Sequence, residues 1–126
     1  MPEVYEMATE YVISILPPDF SEVCPDSRHH WELQVAWRGD GKWAVLNGVF
    51  CLGSDGCWDW EPRPSGREDG WLVTHRFSLD EALRLAREAA PSVSVNGHSA
   101  TDELERYERR KALGLKAIDR EECASG

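Results

Sequence analysis

Residues 31–61 constrain the fold more than any other stretch, because they hold five of the six tryptophans in a pattern that only a half-buried sheet satisfies. Trp31, Leu33, Val35 and Trp37 are apolar, while Glu32, Gln34 and Arg38 among them are polar. Side chains on a strand alternate faces, so this spacing buries one face and wets the other. Gly39-Asp40-Gly41 breaks the run, and Asp-Gly between two such runs signals a tight hairpin. A second strand is predicted over 42–52. A turn at residues 53–56 leads to a third over 57–61, ended by Pro62 and Pro64. A two-residue turn at Asp40-Gly41 sets Trp37 opposite Ala44, Val35 opposite Leu46 and Gln34 opposite Asn47. A three-residue turn instead puts Asn47 opposite Leu33. The first register is preferred for its polar Gln34–Asn47 pair, and it places Trp43, Val45 and Val49 on the face opposite Trp31. The choice matters because a one-residue slip moves every side chain to the other face.

The flanking sequence supplies the remaining elements. Residues 9–16 are β-branched and apolar, a strand stopped by Pro17-Pro18. Residues 19–30 read as a polar loop. Residues 67–75 are ambiguous: Trp71, Leu72 and His75 fit one side of a short helix, which is favoured, whereas Val73-Thr74 favours a strand and Gly70 weakens a helix. Residues 78–90 are the clearest helix. Ser78 with Glu81 forms a capping box, Leu79, Ala82, Leu83, Ala86, Ala89 and Ala90 line one face, and Pro91 stops it. Asn96-Gly97 turns a short extended segment at 93–95. A further helix is predicted over 99–113, supported by Asp102–Arg106 and Glu105–Arg109 pairs at i,i+4 and ended by Gly114, with a frayed tail beyond. At 126 residues the chain reads as one domain, with an acidic segment over 1–27 and a core over about 9–97. The expected fold is α+β: an antiparallel sheet of about four strands with two to three helices, helix 78–90 packed on one face.

The net charge of −9 is unevenly spread. Residues 1–27 carry six acids (Glu3, Glu6, Glu10, Asp19, Glu22 and Asp26) and no lysine or arginine, leaving 17 acids against 14 bases elsewhere. Phosphate backbones are bound by clustered bases, so nucleic-acid binding is disfavoured, although an acidic surface can mimic a phosphate backbone or dock on a basic protein. No apolar run is long enough for a membrane span and no signal peptide opens the chain, so a cytoplasmic location with reduced cysteines is expected.

Chemistry-bearing groups are present but poorly spaced. Cys24, His29, Cys51 and Cys57 include zinc-preferred ligand types, but the five residues between Cys51 and Cys57 exceed a knuckle spacing, so a small zinc module stays a weak alternative and no cofactor is expected. Cys24 with His29 or His30, and Cys51 with His75, are conceivable nucleophile–base pairs, and Asp55, Asp59 and Glu61 are nearby carboxylates. No nucleophile-elbow, phosphate-loop or metalloprotease motif supports an enzyme. Trp31, Trp37 and Trp71 read as core. Trp58, Trp60, Arg63 and Arg67 form a candidate binding site, because exposed tryptophan and arginine dominate interface energies. A tryptophan-rich sheet face stacking a sugar ring is the alternative.

The run 57–71, followed by 77–88, resembles small proteins of actinobacteria and their phages. The likeness covers about residues 11–97. It carries over no activity and no functional residue, and implies a small accessory protein that acts by binding a host or phage protein. Non-enzymatic protein binding is therefore the expected function, through Trp58, Trp60, Arg63 and Arg67 and through Glu3, Glu6, Glu10, Glu22 and Asp26.

Overall fold

A computed structural model describes residues 2–60 and 68–115. The fold is α+β. In chain order the elements are β1 (Glu10–Ile13), α1 (Phe20–Val23), β2 (Leu33–Trp37), β3 (Trp43–Asn47), β4 (Phe50–Leu52), β5 (Trp58–Trp60), α2 (Asp69–His75), α3 (Leu79–Ala89), β6 (Ser94–Val95), β7 (His98–Ser99) and α4 (Ala100–Ala112). Short 3-10 turns occupy Arg28–Trp31 and Ala90–Ser92. The chain divides into two compact units: one from Met1–Ile13 and Leu33–Ala86, the other from Ser14–Glu32 and Arg87–Gly126.

The first unit is built on an antiparallel sheet in the order β1-β2-β3-β4-β5. Its central hairpin corrects the preferred register by one residue: Gln34 faces Leu46, Val35 faces Val45, and Trp37 faces Trp43. The cause is a three-residue loop. Gly39, Asp40 and Gly41 all take positive φ, at 90°, 52° and 70°. The Arg38 N–H donates to the Lys42 carbonyl at 2.8 Å, which closes the loop. Glycine adopts this backbone without a Cβ penalty, and aspartate is among the few side chains that tolerate it. The shift unites Leu33, Val35, Trp43 and Val45 on one face, and all four are buried. Tyr11 joins them opposite Val35, its ring 5.7 Å from that of Trp43.

The second correction is a turn inside the predicted strand 42–52. Gly48, at φ 61°, and Val49 link Asn47 to its partner Phe50. Positive φ at the first turn residue alone is the type II′ arrangement, which requires glycine there. The sheet therefore has five strands rather than four. Trp31 lies outside β2, at the end of the Arg28–Trp31 turn, yet it is buried as expected. Trp37 is 40% exposed, which corrects its assignment to the core. The strand predicted over 9–16 is ordered as β1 only over Glu10–Ile13.

The helix favoured over 67–75 is realised as α2. Phe77 then exchanges two backbone hydrogen bonds with Trp43, at 2.7 and 2.9 Å, tying the α2–α3 connection to β3. At the start of α3 the Ser78 hydroxyl accepts the Glu81 N–H, and Ala82 and Ala86 are buried along the helix.

The second unit is held by α4. Ser99 and Asp102 cap it reciprocally, and Gly114 at φ 73° ends it. Asn96 and Gly97, both at positive φ, make the tight turn between β6 and β7. The polar loop expected over 19–30 is corrected too, since it contains α1 and the Arg28–Trp31 turn. Phe20 is fully buried there, edge-on to Trp31 and 6.1 Å from the Tyr107 ring. Arg106 does not pair with Asp102 as expected but reaches Asp26 and Glu103. No helix among the described residues is long and apolar enough to cross a membrane.

Candidate binding surface

Trp58 and Trp60 alternate with Asp59 on β5, so the two rings share a face and Asp59 points to the other. Among the described residues β5 is the last strand of the sheet. Trp60 stands opposite Phe50, and Trp58 opposite the buried Leu52. Trp58 is half-buried by this pairing. Trp60 is 65% exposed and Phe50 43%. Their centroids lie 5.9 Å apart with planes at 89°, an edge-to-face pair worth about 0.5–1.5 kcal/mol beyond area burial. Val49, in the preceding turn, is also exposed. The perpendicular rings form a ridged apolar surface. Arg63 and Arg67 lie outside the described residues, as does Glu61.

The acids of residues 1–27 sort into two groups. Glu3, Glu6 and Glu10 are exposed, as are Val4, Tyr5 and Met7 among them. The Tyr5 hydroxyl donates to the Glu3 carboxylate, which pushes the Tyr5 phenol up. Glu22 is exposed as well. Asp26 is engaged by Arg106. Asp19, likewise, accepts from the Tyr107 hydroxyl at 2.7 Å. That hydrogen bond, aided by Lys111, holds the Asp19 carboxyl below the usual range.

The candidate catalytic groups are each engaged in local contacts. His75 Nε2 lies 2.7 Å from Asp59 Oδ2, an arrangement that resembles an orienting dyad. Its Nδ1, however, lies 2.8 Å from the Trp71 carbonyl, and the Trp71 ring stacks on the imidazole at 4.2 Å. Both ring nitrogens are therefore hydrogen-bonded within the fold. Cys51 is fully buried, with its Sγ against the His75 carbonyl rather than the imidazole. Gly53 completes the packing: a Cβ there would fall 3.1 Å from His75 Nε2. With the Ser54 N–H on the Thr74 carbonyl at 2.8 Å, this cluster fastens the β4–β5 turn to α2. Asp55 is spent within the same turn, accepting from the Cys57 N–H.

In the second unit Cys24 is fully buried, and that burial pushes its thiol up, away from the reactive thiolate. His29 is hydrogen-bonded to Ser27. Among the described residues no three histidine, cysteine or acidic side chains converge to hold a metal. The second unit also contains a cleft lined by Asp26 together with Glu103, Arg106 and Arg109 of α4. Sequence reasoning missed this grouping and the Phe50–Trp60 pair. The pair had a readable signal in Gly48, whereas the cleft had no local one.

Comparisons with protein-family models, curated proteins and solved structures find no match.

Proposed function

We propose that the protein is a non-enzymatic accessory protein that binds a protein partner through the Val49–Phe50–Trp60 surface. The observation that carries this reading is the exposure of Trp60 on β5 and of its cross-strand partner Phe50 on β4. Exposed large aromatics are costly in water and supply the anchors of interfaces, where a few such side chains carry most of the binding energy. The exposed acids Glu3, Glu6, Glu10 and Glu22 support a partner with a basic surface, since complementary charge steers association. In this reading the protein works in the cytoplasm, where Cys24, Cys51 and Cys57 remain free thiols. The resemblance to actinobacterial and phage proteins makes an actinobacterial lysate the place to look.

The test is affinity capture from that lysate, with native mass spectrometry of the eluate. One dominant partner at fixed stoichiometry is expected. Replacing Glu3, Glu6, Glu10 and Glu22 with glutamine is expected to weaken its capture and flatten the salt dependence. A variant that retains both the affinity and the salt dependence would remove the acids from the interface.

A further inference from the structure

The cleft of the second unit has a volume of about 570 Å³ and is lined by side chains from α4, the Arg28–Trp31 turn and the β6–β7 hairpin. That volume is in the range of small-molecule sites. Arg106 is set against Asp26 and Glu103. The Glu103 side chain is only 7% exposed. Its 2.8 Å approach to Arg106 is a charge contact without hydrogen-bond geometry, so Glu103 Oε2 and Arg106 Nε are both buried with no hydrogen-bond partner. The Arg106 charge offsets that of Glu103, but hydrogen-bonding positions on Glu103 Oε2 and Arg106 Nε stay open to a ligand in the cleft.

The charges of the cleft do not cancel. Three carboxylates (Asp26, Asp102 and Glu103) face two guanidiniums (Arg106 and Arg109). Arg106 is consumed by Asp26 and Glu103, and Asp102 caps α4. Arg109 is exposed and has no ion-pair partner among the described residues. It follows Arg106 by three residues, which places it on the neighbouring helix face about 4.5 Å further along the axis. The cleft therefore presents a surplus of negative charge next to one unpaired positive group. A simple anion would meet the surplus acid, and a simple cation would leave Arg109 unpaired. A small molecule carrying both charges a few ångströms apart satisfies both ends.

We propose that this cleft binds a small zwitterion of the free α-amino acid class, its ammonium beside Asp26 and Glu103 and its carboxylate on Arg109. The imidazoles of His30 and His98 and the Asn96 amide, which also line the cleft, are available to the ligand's side chain. The site uses no residue of the proposed protein-binding surface, so either reading can fail without the other.

The test is saturation-transfer NMR of the intact protein with each of the twenty free amino acids, followed by calorimetric titration of those that respond. Acetate and methylammonium serve as single-charge probes. At least one amino acid is expected to bind with a Kd below about 1 mM, at least tenfold tighter than either probe. Arg109→Gln, an exposed change, is expected to weaken it tenfold or more while leaving the circular dichroism spectrum unchanged. As a second readout, the imidazole resonances of His30 and His98 should shift on binding. The proposal is overturned if no amino acid gives transfer, if acetate or methylammonium binds equally well, or if Arg109→Gln binds as tightly as the native protein.

Discussion

Gly53 is the position where one added methyl group has a readable cost. Its Cβ would lie 2.9 Å from Asp55 Oδ1 and 3.1 Å from His75 Nε2. The Asp55 carboxylate can swing aside, but the imidazole is fixed by Asp59, the Trp71 carbonyl and the stacked Trp71 ring. Gly53→Ala should therefore cost about 1–3 kcal/mol, read as a lower urea midpoint. An unchanged midpoint would mean that His75 is not locked. Asp19 gives a pH-dependent counterpart. Its carboxyl is held below the ordinary range by the Tyr107 hydroxyl. A depressed folded-state value contributes stability above the unfolded pKa of about 3.9, and this is lost as pH falls through the folded value. The stability gap between the native protein and Asp19→Asn should thus be constant near neutrality and shrink below about pH 4. A gap as large at pH 3 as at pH 7 would contradict the assigned hydrogen bond. Neither the Gly53 contact nor the Asp19–Tyr107 bond is visible in the sequence, because each joins residues far apart along the chain.

Among the elements, helices were more legible than strand ends. Ser78, Ser99 with Asp102, and Gly114 are local signals, and they mark the bounds of α3 and α4 within a residue or so. The meander was legible as alternation, but its turns were not. Gly39-Asp40-Gly41 permits two loop lengths, and three positive φ angles in succession select the longer. Asn47-Gly48 was a turn signal concealed by the apolar Val49 and Phe50 after it. Physically, an exposed edge of the sheet carries apolar side chains here, which is the pattern of a buried strand continued past a turn. Gly48 at φ 61° has open space around it, so a Cβ would meet no neighbour. Gly48→Ala should still cost about 1–2 kcal/mol, the penalty of a left-handed backbone for an L-residue. A loss much beyond that would point to a packing role for the turn, and no loss would place its backbone elsewhere.

For the whole molecule, the fold class was legible and the candidate surface partly so. Tryptophan content and β5 alternation pointed to Trp60, which is exposed, and of the acids in the first segment Glu3, Glu6, Glu10 and Glu22 are exposed. Asp26, however, is neutralised by Arg106 across 80 residues of sequence, and Phe50 joined the surface only because Gly48 turns the chain. What remains is a protein in which His75 and Cys51 are engaged in local packing while Trp60 on β5 and its partner Phe50 on β4 are exposed. The most direct test of that account is the binding isotherm of the captured partner with the native protein and with Phe50→Ala/Trp60→Ala. Each truncation of a central aromatic anchor is worth about 2 kcal/mol or more, so each single variant should bind roughly thirtyfold more weakly and the double variant several hundredfold or more, with the double variant still folded and its stability lowered by about the 0.5–1.5 kcal/mol of the ring pair. Equal affinity for the two proteins would show that the exposed pair is not the binding surface.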